Sequence, residues 1–200
     1  MTFPMPGAFD EAIRRIDESN SEDPNREEAD GRSYPKEVLY AQRMTAWVER
    51  LDPTASEALL LAARSQHIRR WESPRSDFPM TKAGYNRWRT SLYAFHADTA
   101  ASILEEAGYG PGTVRAVKNL LMKKGLRTDP EMRTLEDAAT LVFLEFHFAE
   151  FAERDNMNDA KLIDILQKTW RKMSNPGRAA ALKLDFTDEP ARLIQKALAL

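Results

Sequence analysis

Apolar residues recur at helical spacing along almost the whole 200-residue chain, and this periodicity is what most restricts the folds open to it. No run alternates apolar and polar residues as a half-buried strand would. The helical pattern covers residues 9–16, 35–51, 55–71, 81–107, 111–125, 135–151, 159–173, 176–184 and 190–198. We therefore predict an all-α fold of about eight to nine helices.

Capping signals and proline positions suggest where these helices begin. Thr54 and Glu57 form a capping-box pattern, and Thr81 is suited to cap the long fourth helix. Thr134 is suited to cap the helix predicted over 135–151. The polar stretch Ser19–Arg32 is predicted to be a mobile loop. We expect a single domain with three parts: an N-terminal helix and acidic loop (8–33), a core (34–151) and C-terminal helices (157–200).

Composition excludes several classes of protein. With 0 cysteines, the chain has no disulfide scaffold, cysteine-based zinc site or thiol nucleophile. No apolar run is long enough for a membrane-spanning helix, and the net charge of −2 gives no general attraction to nucleic acid. The sequence also lacks the glycine-rich, Walker A, nucleophile-elbow and HExxH motifs. We expect a cytoplasmic protein with no membrane or nucleic-acid partner, and the sequence leaves its oligomeric state open.

One segment has a strong local charge. Residues 64–89 contain seven arginine and lysine residues and two acidic ones. Because guanidinium groups match phosphate geometry and tryptophan offers a stacking face, this segment predicts a clamp for a small anionic or phosphorylated molecule. The alternative is that the arginines are solvated and the tryptophans belong to the core. The candidate substrate-binding residues are Arg69, Arg70, Trp71, Glu72, Arg75, Arg87 and Arg89.

Three titratable residues fall on the apolar faces of predicted helices. His67 follows Leu60 and Ala63 at helical spacing, His96 follows Leu92, and Asp137 precedes Leu141. Burying such groups is costly unless they bind one another or a cation, and two imidazoles with a carboxylate suit zinc, manganese or iron. The alternatives are core histidines satisfied by backbone groups, and an aspartate in the first turn of a helix capped by Thr134.

Long runs of the sequence closely resemble the domain-of-unknown-function 4202 family. These runs are FDEAIRRIDESN, YPKEVLYAQRMTAWVERL, HIRRWESPRSDFPMTKAGYNRWR, LEDAATLVFLEFHFAEF and KLIDILQKTWRKMS. The resemblance covers nearly the whole chain, and it implies little about activity because that family is uncharacterised.

The order of elements also resembles the HD-domain superfamily of helical, metal-dependent phosphohydrolases. Its final aspartate commonly stands in a context like LEDA, which Asp137 matches, and His96 lies where a later histidine is expected. The early histidine of that pattern falls nearest Tyr40, and its His-Asp doublet reads Gln66-His67. The resemblance implies either a rearranged site of His67, His96 and Asp137, helped by Gln66 or Glu72, or a pocket that has lost its metal and binds an anion.

Three functions remain open from the sequence. The first is a divalent-metal-dependent hydrolase of a small phosphorylated or anionic metabolite, with no catalytic residue assigned. The second is a catalytically silent module of the same fold that binds or senses an anionic ligand. The third is a helical interaction protein whose polar core is only structural.

Overall fold

A computed structural model describes residues 7–125, 128–155, 157–185, 192–194 and 196–197. Its helices are α1 (Ala8–Ser21), α2 (Lys36–Leu51), α3 (Glu57–Arg64), α4 (Lys82–Glu106), α5 (Pro111–Leu121), α6 (Pro130–Val142), α7 (Phe148–Ala152), α8 (Asp159–Lys172) and α9 (Asn175–Ala181). Short 3₁₀ turns occupy Arg70–Glu72 and Arg75–Asp77, and Phe143–His147 forms a π-helical turn. The prediction of an all-α fold with about eight to nine helices is confirmed. None of the described helices is long and apolar enough to cross a lipid bilayer.

A short β-hairpin begins within the predicted loop Ser19–Arg32 and continues beyond it to Pro35. Strands β1 (Arg26–Ala29) and β2 (Arg32–Pro35) pair antiparallel, with Ala29 opposite Arg32. The turn residues Asp30 and Gly31 both have positive φ, 50° and 71°, which is the backbone of the tight hairpin turn that Asp-Gly favours. The hairpin was missed because its strands are polar on both faces and show no alternation.

The chain divides into two compact units, Met1–Leu135 and Glu136–Leu200. In the first unit α3 packs against α1, α2 and α5, and α5 packs along α4. Four of the eight residues of α3 are completely buried apolar side chains: Leu59, Leu61, Ala62 and Ala63. Because α3 is buried at the centre of this unit, it fixes where the segment that follows it must lie. The single-domain organisation stays a prediction.

Helix α3 ends seven residues before the predicted end at Trp71. Its N-cap is Ser56, whose hydroxyl accepts a hydrogen bond from the Leu59 N–H at 3.1 Å, so the capping box predicted at Thr54 is wrong. Beyond Arg64 the chain forms successive turns, and Arg69 has a positive φ of 51°, which no α-helix contains. His67 therefore lies on a loop and does not continue the face of α3.

Helix α6 begins earlier than predicted. Asp129 caps it, because its Oδ1 accepts from the backbone N–H groups of Glu131 at 2.9 Å and Met132 at 3.4 Å. Thr134 instead donates its hydroxyl to the Pro130 carbonyl within the helix, so the predicted Thr134 cap is wrong. The predicted cap at Thr81 is confirmed, since its Oγ1 accepts from the Gly84 N–H at 3.1 Å. The helix predicted over 190–198 lies partly outside the described residues, and those described there are helical.

Candidate functional site

Four of the five buried polar side chains described in the first unit lie in or contact one loop, residues 65–69 between α3 and the first 3₁₀ turn. Each has an exposed fraction below a tenth, although nearly everything else in that interior is apolar. The five are Asn20 on α1, Asp23 between α1 and the hairpin, Glu37 on α2, His96 on α4 and Ser65 in the loop itself. Buried polar groups are costly to leave unpaired, so their contacts indicate what the cluster does.

The peptide group between Ile68 and Arg69 is held on both of its polar atoms. The Ile68 carbonyl accepts a hydrogen bond of 2.8 Å from His96 Nδ1, and the Arg69 N–H donates to Asn20 Oδ1 at 3.0 Å. Asn20 is 1% exposed and His96 is 3% exposed, so both partners belong to the interior. Because a carbonyl can only accept, the His96 proton is on Nδ1.

His96 is neutral at physiological pH. Burial lowers the pKa of its imidazole to about 3, with further lowering by His67. The Ile68 hydrogen bond opposes this, and Arg70 adds the smallest lowering. With the proton on Nδ1, Nε2 carries a lone pair, and no described residue hydrogen-bonds to it. The same is true of Asn20 Nδ2 and Ser65 Oγ. The cluster therefore has spare hydrogen-bonding capacity on three deeply buried side chains.

His67 lies beside His96 and is the more accessible of the two. The ring centroids are 6.0 Å apart, and the His67 side chain is 26% exposed. Its imidazole stacks on Tyr40 with a centroid distance of 3.9 Å and an interplanar angle of 8°. On the same helix, Glu37 places Oε2 3.3 Å from His67 Nδ1. A ligand entering from solvent would meet His67 first.

Arg70 brings a positive charge that contributes to the lowered pKa of His96. Its guanidinium lies over the Trp88 ring at 4.9 Å from the centroid, and the Trp88 Nε1–H donates to the Ser73 carbonyl at 2.8 Å. The Trp88 ring, held by this hydrogen bond, gives the Arg70 guanidinium an aromatic face to lie on. In the part of the chain that the structure describes, no carboxylate pairs with Arg70.

Three other arginines of the predicted anion clamp have local partners. Arg69 Nε donates to Glu72 at 2.8 Å, and Arg75 donates to the carbonyls of Phe78 and Pro79, both at 2.8 Å. Arg89 Nε donates to the Tyr93 hydroxyl, Arg87 is exposed on α4, and Trp71 is half-buried. Of the predicted set, Arg70 is the residue whose charge contributes to the lowered pKa of His96.

Asp137, the third predicted metal ligand, belongs to the unit Glu136–Leu200. Its Oδ1 accepts from the Ser174 N–H at 3.1 Å, and its Oδ2 accepts from the Ser174 hydroxyl. Ser174 in turn caps α9 by accepting from the Gly177 N–H at 3.2 Å. Both oxygens of this carboxylate thus support the start of a helix.

The donor types in the histidine cluster suit a transition metal, because two imidazoles and the Glu37 carboxylate are common ligands. Among the described residues, however, no three histidine, aspartate or glutamate side chains are placed so that they could hold one ion. Metal binding by His67, His96 and Asp137, or with help from Gln66 or Glu72, therefore stays a prediction.

Glu37 and Asn20 were missed by the sequence analysis. Glu37 is three residues before Tyr40, a spacing that places both on one helix face, but a glutamate in a first helical turn is usually explained by the helix dipole. Asn20 stands near the end of α1 among polar residues and gives no signal of burial.

A family model described as "Domain of unknown function (DUF4202)" matches residues 10–194, nearly the whole chain. No curated protein and no solved structure matches. The resemblance to the HD-domain superfamily is therefore not confirmed.

Proposed function

We propose that this chain, which belongs to the DUF4202 family, binds a small phosphorylated or otherwise anionic molecule beside His67 and Arg70. The observation that carries the proposal is the Arg70 guanidinium, which lies over Trp88, contributes to the lowered pKa of His96 and has no described carboxylate partner. A guanidinium held in one orientation can donate two parallel hydrogen bonds to a phosphate or carboxylate.

Charge and accessibility support an anion over a neutral ligand. Arg70 is half-buried, so its attraction for an anion is screened less than that of an arginine in open solvent. His67 is partly exposed and can supply a further hydrogen bond. The Glu37 carboxylate lies on the Nδ1 side of His67, where it can orient the ring.

Calorimetric titration tests the proposal, with inorganic phosphate and a nucleoside monophosphate as ligands at up to about 10 mM. We expect saturable binding that persists in EDTA and is weakened at least about tenfold by Arg70→Ala, because a charged hydrogen-bond donor is lost. Arg115→Ala is the matched control, since Arg115 is exposed on α5 and has no partner among the described residues. Absence of binding, or equal losses in the two variants, would overturn the proposal.

Metal-dependent hydrolysis of the same class of ligand is a second candidate. The observation that favours it is the unpaired Nε2 lone pair of His96, buried beside His67. His67 and His96 would supply imidazole ligands to a zinc, manganese or iron ion. Such an ion polarises a phosphoryl oxygen and lowers the pKa of bound water.

Elemental analysis of protein purified without chelator separates the two candidates. Hydrolysis predicts a stoichiometric divalent ion in the wild type, its loss in His67→Ala, and phosphatase activity that EDTA removes. His147→Ala is the control, because His147 lies in the π-helical turn of the other unit. Metal-free wild type that still binds phosphate would leave the binding function and eliminate the hydrolase.

A further inference from the structure

The Ile68–Arg69 peptide group is a fixed point in the loop that carries Arg70. Its carbonyl accepts from His96 and its N–H donates to Asn20, and both partners are almost completely buried. In a trans peptide the two polar atoms point in opposite directions, so the two side chains hold the group from opposite sides. The peptide plane cannot rotate without losing one of these buried hydrogen bonds.

The backbone next to this peptide is strained. Arg69 has φ 51° and ψ 32°, the left-handed region that a residue with a Cβ rarely occupies. Strain of this kind persists only where surrounding contacts determine the conformation, and it concentrates at functional sites. Here the determining contact is the hydrogen bond from the Arg69 N–H to Asn20.

The conformation of Arg69 sets the direction in which the chain continues to Arg70. The Arg70 N–H then donates to the His67 carbonyl at 3.0 Å, which closes a turn between the two proposed ligand-binding residues. If Arg69 relaxed to an ordinary negative φ, the Arg70 side chain would leave the chain in another direction and lose its place over Trp88.

We infer that Asn20 is a positioning residue: with His96 it holds the Ile68–Arg69 peptide, and so it aims the Arg70 guanidinium at the anion. This inference rests on the proposed binding function. It also gives Asn20 a reason to be buried at the end of α1, where its Nδ2 has no partner among the described residues.

The test is the dissociation constant for inorganic phosphate, measured by calorimetry at a temperature where circular dichroism shows every variant folded. We expect Asn20→Ala to weaken binding about tenfold, the value of one such hydrogen bond. Ser21→Ala is the matched control, because Ser21 follows Asn20 on α1 and its hydroxyl donates to the Glu18 carbonyl of the same helix. Leu59→Ala, a core truncation in α3, should lower stability while the dissociation constant stays within about twofold.

A second pair of variants keeps the inference testable if Asn20→Ala does not fold. Arg69→Pro should bind phosphate about tenfold more weakly than Arg69→Ala. Both variants lack the guanidinium, but proline also has no backbone N–H for Asn20 and cannot adopt a positive φ. A folded Asn20→Ala with wild-type affinity, or equal affinity in the two Arg69 variants, overturns the inference and leaves the proposed function standing. A wild type that does not bind phosphate overturns both.

Discussion

Two buried polar regions of this molecule differ in how completely they satisfy their own hydrogen bonds. In the unit Glu136–Leu200, Asp137 has Ser174 on both carboxylate oxygens, and the Ser174 hydroxyl also bonds the Gly177 N–H. In the unit Met1–Leu135, the groups around residues 65–69 leave His96 Nε2 and Ser65 Oγ, among other atoms, without a described partner.

The difference separates structural polar groups from candidate functional ones. A buried carboxylate whose oxygens are all engaged by a helix start is explained by the stability of that helix. A buried imidazole with one nitrogen unpaired carries a cost that packing alone does not repay. For this reason we place the ligand at the histidine cluster and treat Asp137 as part of the α9 cap.

The largest expected effect comes from Gly177→Ala, which challenges the first half of this comparison. A Cβ there would lie 2.5 Å from Asp137 Cγ and 2.6 Å from its Oδ1, too close for any ordinary contact. Since the carboxylate must move off Ser174, we expect a loss of about 3 kcal/mol of unfolding free energy in urea.

Gly112→Ala is the control for that substitution, because a Cβ at Gly112 meets nothing within 4 Å on helix α5. It should stabilise the protein by about 0.5–1 kcal/mol, the ordinary helix-propensity gain of alanine over glycine. Equal effects of the two substitutions would show that the Asp137 contacts do not define the start of α9.

The second prediction concerns pH and the histidine cluster. The pKa of His96 is about 3 in the folded state, against 6.5 for an unperturbed histidine, so the unfolded chain takes up a proton that the folded chain resists. The contribution of neutral His96 to the free energy of unfolding is thus fully present well above pH 6.5. It is lost as the pH falls from 6.5 toward 3. Between pH 7 and pH 5 we expect a loss of about 2 kcal/mol, measured by urea denaturation.

His96→Asn isolates this contribution. The asparagine amide can still donate to the Ile68 carbonyl but does not titrate, so the pH dependence between 7 and 5 should become shallower. His147→Asn, in the other unit, should leave it unchanged. A wild-type slope retained in His96→Asn would assign the dependence to other groups, including His67.

The smallest effects come from two serines and compare the regions directly. Ser174→Ala removes the hydroxyl that donates to Asp137 Oδ2 and caps α9. We expect it to lower the free energy of unfolding by about 1.5 kcal/mol in thermal denaturation. Ser65→Ala removes a buried hydroxyl without a described partner and should change stability by less than about 0.5 kcal/mol. A large loss at Ser65 would mean that its hydroxyl is satisfied in solution.

Much of the fold could be predicted from the sequence, because amphipathic periodicity survives in a single chain. The cap at Thr81 and the start of α5 at Pro111 follow from local chemistry. The early end of α3 could not, since residues 65–71 keep a helical apolar pattern although the chain leaves the α-helix at Ser65 and turns again at the left-handed Arg69. The Asp30-Gly31 dipeptide indicates a tight hairpin turn, but the flanking strands are polar and do not show the alternation that predicts strands.

For the site, the sequence identified His67, His96 and Arg70 as unusual residues but not what connects them. Only the structure identified Glu37 and Asn20 as members of the site. Glu37 contacts His67, 30 positions away in the sequence, and Asn20 contacts Arg69, 49 positions away. Residue spacing reports neighbours along one helix and has no information about partners on another.

The sequence by itself determined the helical class and the residue types available for chemistry, because local propensity and patterning depend only on near neighbours. Tertiary structure alone decided which polar groups became buried and which found partners. Burial and hydrogen bonding are properties of the packed interior, where α1, α2 and α4 meet the loop after α3. That packing brings His96 against the loop that carries His67 and Arg70. In the other unit, Asp137 bonds Ser174 at the start of α9.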